Sequence, residues 1–563
     1  MSDYPNKENI IRLANILIEL GVKRFVLSPG SRNAPLIKAF TADPRTKCHS
    51  VIDERSAGYF ALGLALKEQK PIGLVCTSGT ASINYGPAIA EAYYQKIPLI
   101  VITADRPEEL IDQREGQAIR QTNLYSNFVK TSSHLPQEPF DEDRLWYNDR
   151  IISETINTAL LSPAGPVHIN VPLREPLYES VENNLTKHKA INLSPVKKNL
   201  QETALKSFAK YWNSASKIMI VTGVLNPSPR LDELLKNLAE FSPVAILTEK
   251  TSNLFKGKYH HYIDRLLNTM PDNKSDYVPD LLITIGNDVV SKQIKAFIRN
   301  HPPKRHWHIE DTNHHTDTYK CLTDLIPLSP EDFFDALVPQ IEPHDSKYAT
   351  QWDELETCAQ AVHDEFAKQA PWSDFKAFET LQRHLPGGSV LHLGNSTPVR
   401  YAMLFPPDKS VEYYANRGTS GIDGVVSTAA GFAILDERIN TVVTGDLSFF
   451  YDSNGMWNKH LPSNLRIIVI NNQGGSIFRI IPGPDTTDVL EDYFETRQEL
   501  NIRGMAEAYG LKYYFCDEQS QMEDVLKNIY QPHDTTVVLE ARTSGKDNDK
   551  VLKNYFKKLK GEI

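Results

Sequence analysis

Short apolar runs rich in β-branched residues recur along this chain at intervals that leave room for one helix between them, and that rhythm most restricts its fold. The first set is RFVLS, PIGLVCTS, PLIVITAD and GPVHINVP, ending near Pro172. A second set, KIMIVTG, PVAILTEK, DLLITIG, RHWHIE and DLIPL, begins near Leu200 and runs to about Pro330. A charged, mostly helical stretch from Glu331 to Ala370 leads into a third: SVLHLG, VEYYAN, NTVVTGD, RIIVINN and TTVVLEA. Strands alternating with helical spacing specify parallel sheets covered by helices, so the expected fold is α/β, three parallel-sheet units in series. We divide them as 1–182, 183–355 and 356–563, with the polar stretch after Pro172 as a linker.

The chain has 563 residues, of which 40% are hydrophobic and 23% charged, enough to bury large cores. A net charge of -10 argues against nonspecific binding to nucleic acid or membranes and leaves small molecules as the expected partners. Cys48, Cys76, Cys321, Cys358 and Cys516 are odd in number and scattered, which indicates neither a disulfide framework nor a zinc site and fits a reducing cytoplasm. The first residues read as an amphipathic helix without a signal-peptide core. The basic segment KVLKNYFKKLKGEI reads as a solvated helix rather than a surface-binding one. His260-His261 and His314-His315 are expected on polar surface or loops, with no ligand spacing around them.

Two strand ends carry oxygen ligands. TGDLSFF ends its strand at Gly445-Asp446, and IIVINNQGGSIF ends its own at Asn471-Asn472. In a parallel sheet both lie on the carboxyl edge, where Asp446, Asn472 and the Gly474 carbonyl offer half an octahedral shell for Mg²⁺, the rest falling to a diphosphate and water. Gly-Asp and Asn-Asn-x-Gly are also ordinary turn signals. In DERSAGYFALGLAL, Glu54 precedes a helix with a small-residue stripe at Ala57, Ala61 and Ala65. A carboxyl beside such tight packing is desolvated and holds its proton to higher pH, although a dipole-favoured acid at a helix start explains Glu54 as well.

The glutamate in the first unit, the Gly-Asp…Asn-Asn site in the third and the three α/β units together resemble the thiamine-diphosphate-dependent enzymes of the pyruvate-oxidase-like group. LSPGSRNAPL, DERSAGYFALGLAL, CTSGTA, TADRPEELID, GQAIRQ, GNSTPVR, NRGTSGIDG and GDLS…NNQGGSIF narrow the resemblance to one family, the 2-succinyl-5-enolpyruvyl-6-hydroxy-3-cyclohexene-1-carboxylate synthases of menaquinone biosynthesis. The match runs in order from about Leu27 to Phe478 and is weak only in the middle unit. Leu447 departs from the glycine that many thiamine enzymes carry after Gly-Asp and resembles the synthases.

The resemblance implies thiamine diphosphate and Mg²⁺, with Mn²⁺ as an alternative ion. It implies decarboxylation of 2-oxoglutarate and Stetter-like addition of the succinyl unit to isochorismate. Glu54 would hydrogen-bond the aminopyrimidine and favour the imino form that removes the thiazolium C2 proton. Ser78, Gly79 and Thr80 would face the pyrimidine, and Ile422 would be the apolar wedge that bends the cofactor. Gly445, Asp446, Leu447, Ser448, Asn472 and Gly474 would meet the diphosphate and metal. Ile477 and Phe478 would line the apolar side. Both substrates are dicarboxylates, which favours arginine for planar bidentate contacts. Ser31, Arg32, Arg106, Gln117, Arg120, Ser396, Arg400 and Arg417 are the candidates, with Arg400 and Arg417 closest to the chemistry and Lys292 reaching in from the middle unit. Related enzymes build the site between subunits, so a homodimer or homotetramer is expected. An acetolactate-synthase-like carboligase and a non-catalytic ligand-sensing relative are the alternatives.

Overall fold

The structure is a computed structural model in which residues 3–182, 186–242, 244–343 and 347–562 are described. The boundary expected after residue 182 falls on 183–185, outside the described residues. Three parallel sheets lie along the chain. The first runs, in spatial order, Lys47–Ser50, Arg24–Leu27, Ile72–Cys76, Leu99–Asp105, Val167–Pro172 and Ser132–His134. The middle sheet runs Ala245–Leu247, Ile218–Thr222, Leu281–Ile285, Arg305–Ile309 and Asp324–Ile326. The third runs Glu412–Ala415, Val390–Leu393, Asn440–Gly445, Leu465–Asn471, Val537–Arg542 and Lys512–Cys516. The inner strands are buried along most or all of their length, as sheets covered on both faces require. Tyr4–Pro5 pairs antiparallel with Ser180–Val181 and ties the polar crossing segment back to the first unit. The helix Tyr348–Gln369 runs continuously through position 355, where the sequence suggested a boundary.

One contact fixes how the first and third units meet. The helix Glu54–Glu68 packs on Val425–Ala433, and Ala57, Ala61 and Ala65 are all buried in the core the two units share. The closest approach runs through glycines rather than through that alanine stripe. A Cβ at Gly63 would stand 2.0 Å from the Thr428 carbonyl oxygen, and one at Gly431 would stand 2.0 Å from that of Phe60. Only hydrogen fits at these two positions, so backbone meets backbone and Glu54 is held at the first turn of a helix that cannot slide.

His260 and His261 are buried, contrary to the surface placement read from the sequence. Main-chain bridging of Leu247 to His260 draws the pair inward, and Nδ1 of His260 meets the Glu356 carboxylate at 2.6 Å from the helix laid over it. The basic segment near the end forms the helix Asn548–Leu559, which is amphipathic rather than solvated all round and buries Val551, Leu552, Tyr555 and Leu559.

Candidate active site

Asp446 follows the strand Asn440–Gly445 and Asn472 follows Leu465–Asn471; register pairs Gly445 with Ile470, so the two side chains leave neighbouring strand ends. Both are buried. Burial pushes the Asp446 carboxyl up to about 7, opposed by main-chain N–H groups of Leu447 and Gly474. The Asn472 amide is oriented by its own donors: Nδ2 gives hydrogen bonds of 2.9 Å to Oδ2 of Asp374 and 2.9 Å to Oγ of Ser476. Its Oδ1 is left buried without a hydrogen-bond partner. An orphaned buried acceptor costs about 1–3 kcal/mol, and a cation beside it removes that cost. A carboxylate and an amide oxygen at adjoining strand ends are the hard donors Mg²⁺ takes, so these residues fit a metal-bound diphosphate. Gly474, at φ +147, lies so close to the Glu495 carbonyl that a Cβ would stand 2.6 Å from it. Ser448 Oγ donates to the Ile422 carbonyl, fixing the loop that presents Ile422, whose side chain is 39% exposed rather than packed in a core. Gly445 opens on free space, and Leu447 is half-buried beside it.

Asp374 is a residue the sequence reading missed. Fully buried, it accepts from Asn472 Nδ2, from Thr543 Oγ1 at 2.6 Å and from Asn548 Nδ2 at 2.8 Å. It sets which way the Asn472 oxygen points. Its only signature in sequence is a Ser-Asp helix start, shared with many solvent-facing turns.

Glu54 opens the helix Glu54–Glu68 behind Asp53, whose side chain caps Ser56 N–H at 3.1 Å. Burial raises the Glu54 pKa, and the neighbouring Asp53 charge adds to the rise. A cavity of about 510 Å³ opens here, lined by Pro29, Ile52, Asp53, Glu54, Arg55, Asn84 and Trp457. Asp446 and Asn472 are not among its walls. On the same sheet edge Ser78 Oγ is buried without a partner, Thr80 is exposed, and Gly79 N–H donates to Oε1 of Gln121 at 2.8 Å. Gln121, also unforeseen, passes the tie on by donating to the Ala104 carbonyl and to Asn170 Oδ1, each at 3.0 Å.

The arginines separate. Arg400 and Lys292 share a cavity of about 470 Å³ with Asp264, Thr397 and Ile477. Burial, then the nearby Arg417 charge, lower the Arg400 pKa, and Nη1 donates to the Ser396 carbonyl. Arg417 instead faces a cavity of about 810 Å³ between the first and middle units. It donates to Asn395 Oδ1 at 2.9 Å and pairs with Asp288. Asn395 in turn donates to the Asn416 and Gly421 carbonyls, both at 2.7 Å, bracing the turn before Ile422. Arg32 is buried against the Leu173 carbonyl and Glu175, and Ser31 meets the Tyr178 hydroxyl at 2.9 Å. Arg106 donates to the Gly116 carbonyl at 2.8 Å, which places it beside Gln117, whose backbone lies against Gly79. Arg120 stands apart: its side chain is 82% exposed and pairs with Asp112 at 2.7 Å. Phe478 packs on Phe494, ring centres 5.6 Å apart.

Comparison with known proteins agrees with this geometry. Residues 12–124 match the family model described as "Thiamine pyrophosphate enzyme, N-terminal TPP binding domain", and residues 394–541 match its C-terminal TPP-binding counterpart. A solved structure of benzoylformate decarboxylase from Polynucleobacter necessarius superposes with a TM-score of 0.71 over 96% of this chain and 98% of that one; at 16% identity it speaks for the fold alone. The class is that of the thiamine-diphosphate enzymes with the pyruvate-oxidase-like architecture. Within it, 2-succinyl-5-enolpyruvyl-6-hydroxy-3-cyclohexene-1-carboxylate synthase of Flavobacterium johnsoniae is 41% identical over 562 residues, covering 99% of this chain and 100% of that one. Those of Porphyromonas gingivalis and Desulfotalea psychrophila are 39% and 41% identical, covering 100% and 95% of this chain and 99% and 98% of their own. The chain belongs to that synthase family.

Proposed function

We propose that the chain, with thiamine diphosphate and Mg²⁺, decarboxylates 2-oxoglutarate and adds the succinyl unit to isochorismate. The products are 2-succinyl-5-enolpyruvyl-6-hydroxy-3-cyclohexene-1-carboxylate and CO₂, in menaquinone biosynthesis. The observation that carries this reading is the cavity where Arg400 and Lys292 stand together, with further lysines on its outer wall, beside apolar Ile477, Ile480 and Ile481: clustered cations beside an apolar wall suit a dicarboxylate. The relatives' shared name and their full-length similarity support the same reaction.

When bound, thiamine diphosphate supplies the electron sink for loss of CO₂ and the nucleophilic carbon for the addition. The chain positions and neutralises. Asp446, Asn472 Oδ1 and the Gly474 carbonyl would hold the metal, with Gly445, Leu447 and Ser448 around the diphosphate. Glu54, whose carboxyl burial makes harder to ionise, would hold or release a proton at that carboxyl against the aminopyrimidine. Ser78, Gly79 and Thr80 would flank the ring and Ile422 would bend the cofactor. Arg400, Lys292 and Ser396 would take one carboxylate, and Arg32, Arg106, Gln117 and Arg417 the others, with Phe478 excluding water.

Glu54 has its own cavity, and exposed Ile52, Ile83, Tyr451 and Trp457 lie on or close to its rim. Apolar side chains of that size in the open, beside an incomplete site, support a second copy of the chain docking there, as a homodimer or as half of a homotetramer. A cytoplasmic setting suits five cysteines without disulfides. The test is isochorismate consumption by the purified protein with thiamine diphosphate, Mg²⁺ and 2-oxoglutarate, omitting each in turn. Consumption requiring all three is expected; CO₂ release from pyruvate, with isochorismate untouched, would overturn the reading in favour of an acetolactate-type carboligase.

A further inference from the structure

The outer wall of the Arg400–Lys292 cavity is made by the helix Asn548–Leu559 and the turn after it. Its apolar side is anchored by Val551, Leu552, Tyr555 and Leu559, and the Tyr555 hydroxyl meets Nδ1 of His363 at 2.8 Å on the helix Tyr348–Gln369. That anchoring fixes which side faces the cavity. Lys553, Lys557 and Lys560 follow one another at i, i+4 and i+7, which sets them on one stripe. All three line the cavity with Lys292 and Arg400.

Charge is distributed unevenly around this opening. Five cations face it against two acids, Asp264 and Glu562, on a chain whose net charge is -10. Asp264 is half-buried and engaged by the Ser291 hydroxyl, and Lys553 is paired with Asp549 at 3.2 Å and Asp485 at 3.7 Å. Lys557 and Lys560 are exposed and form no ion pair among the described residues. Their neighbour Lys558 turns the other way, to Glu365 at 2.7 Å. Exposed cations at the mouth of a cleft with low-dielectric walls concentrate field lines inside it.

We propose that Lys557 and Lys560 form, with Lys292 and Arg400, a cationic rim that draws small dicarboxylates into this cavity and orients them. The choice of ligand rests on the proposed function; the rim itself rests on the helix face and the cavity. Both lysines would act on binding of the anion before any bond changes.

The test uses glutarate, a dicarboxylate of the length of 2-oxoglutarate without its reactive carbonyl, and the full chain loaded with thiamine diphosphate and Mg²⁺. Calorimetry at an ionic strength of about 0.01 M, where the Debye length is about 30 Å, is compared with about 1 M, where it is about 3 Å. Lys557→Gln with Lys560→Gln is expected to weaken binding about tenfold at low salt and to match the wild type at high salt. Arginine at both positions should restore the low-salt affinity, and Lys558→Gln, at a side chain that turns away to Glu365, should weaken it much less. Equal low-salt affinity of the double variant and the wild type overturns the rim alone. So does an equal loss in Lys558→Gln, which would mark a general charge effect. A wild type that does not bind glutarate overturns the rim and counts against the dicarboxylate reading, whereas isochorismate consumption tests that reading separately.

Discussion

The first and third units are built on one topology and do different work. Numbered along the chain, the strands of each sheet lie in the order second, first, third, fourth, sixth, fifth. In both, the ends of the third and fourth strands open at the carboxyl edge, where parallel α/β sheets bind ligands. In the third unit those ends carry Asp446 and Asn472, an acid and an oriented amide oxygen. In the first they carry the Ser78–Gly79–Thr80 turn and Asp105-Arg106, and Glu54, the carboxyl proposed to meet the aminopyrimidine, stands on a helix beside them. The sheet supplies a ledge, and on the proposed reading a few residues on it would decide whether it takes a metal-bound diphosphate or a ring. The walls of the Glu54 cavity do not include Asp446 or Asn472, which is why the proposal completes each half with a second copy.

The largest effect should come from the third-unit ledge. Asp446→Ala is expected to weaken Mg²⁺-dependent binding of thiamine diphosphate roughly 10³-fold, the several kcal/mol that a metal supplies. Titration at fixed Mg²⁺ measures it, and unchanged affinity would remove Asp446 from the metal. On the first-unit ledge, Glu54→Gln should leave cofactor binding near normal and slow hydrogen–deuterium exchange at the cofactor's C2 by about 10²–10⁴-fold, followed by NMR. Weakened binding with normal exchange would reverse the roles assigned to the two ledges. In the cavity that Arg400 shares with Lys292, Arg400→Ala should raise the KM for 2-oxoglutarate about 10- to 100-fold, the 1.5–3 kcal/mol of hydrogen bonds to a charged group. An unaltered KM would take Arg400 out of the substrate pocket.

The smallest effect compares the sheets themselves. His168 in the first and His392 in the third are buried, and burial lowers their imidazoles to about 3 and about 4 from 6.5. Each is therefore neutral in the fold and more basic when unfolded. Its contribution to stability is fully present above about 6.5 and is lost as pH falls towards the folded value. Thermal unfolding should show Tm falling below that pH, with a shallower fall in His168→Gln; an identical slope would show that His168 titrates freely in the fold.

Most of the strands that could be read from sequence were those buried on both faces, although the half-exposed edge strands Glu412–Ala415 and Asp324–Ile326 were read as well. Runs such as LVCTS and RIIVINN are continuous apolar segments because helices cover both sides of the sheet. Lys47–Ser50, Ser132–His134 and Lys512–Cys516 were not foreseen, and each lies at or towards a sheet edge where polar or half-exposed residues break the pattern. Asp446, Asn472 and Glu54 could be placed from sequence at two strand ends and a helix start because those features are local. Asp374 and Gln121 were not, since each acts through a partner far away in sequence: Asp374 orients Asn472 from 98 positions off, and Gln121 ties Gly79 from 42. The division of the arginines between two cavities was equally invisible, because motif membership says nothing of which way a guanidinium turns.

On the proposed reading Glu54 and Asp446 serve one site from different copies of the chain, and mixing two inactive variants tests that directly. Glu54→Gln and Asp446→Ala proteins, each without activity alone, are unfolded together, refolded and assayed for isochorismate consumption. If the site is shared, mixed dimers carry one site with both residues intact, and activity should return to a substantial fraction of wild type. No recovery, with mixed dimers shown to be present, would mean that both residues serve a site within a single chain and that no site is shared between copies.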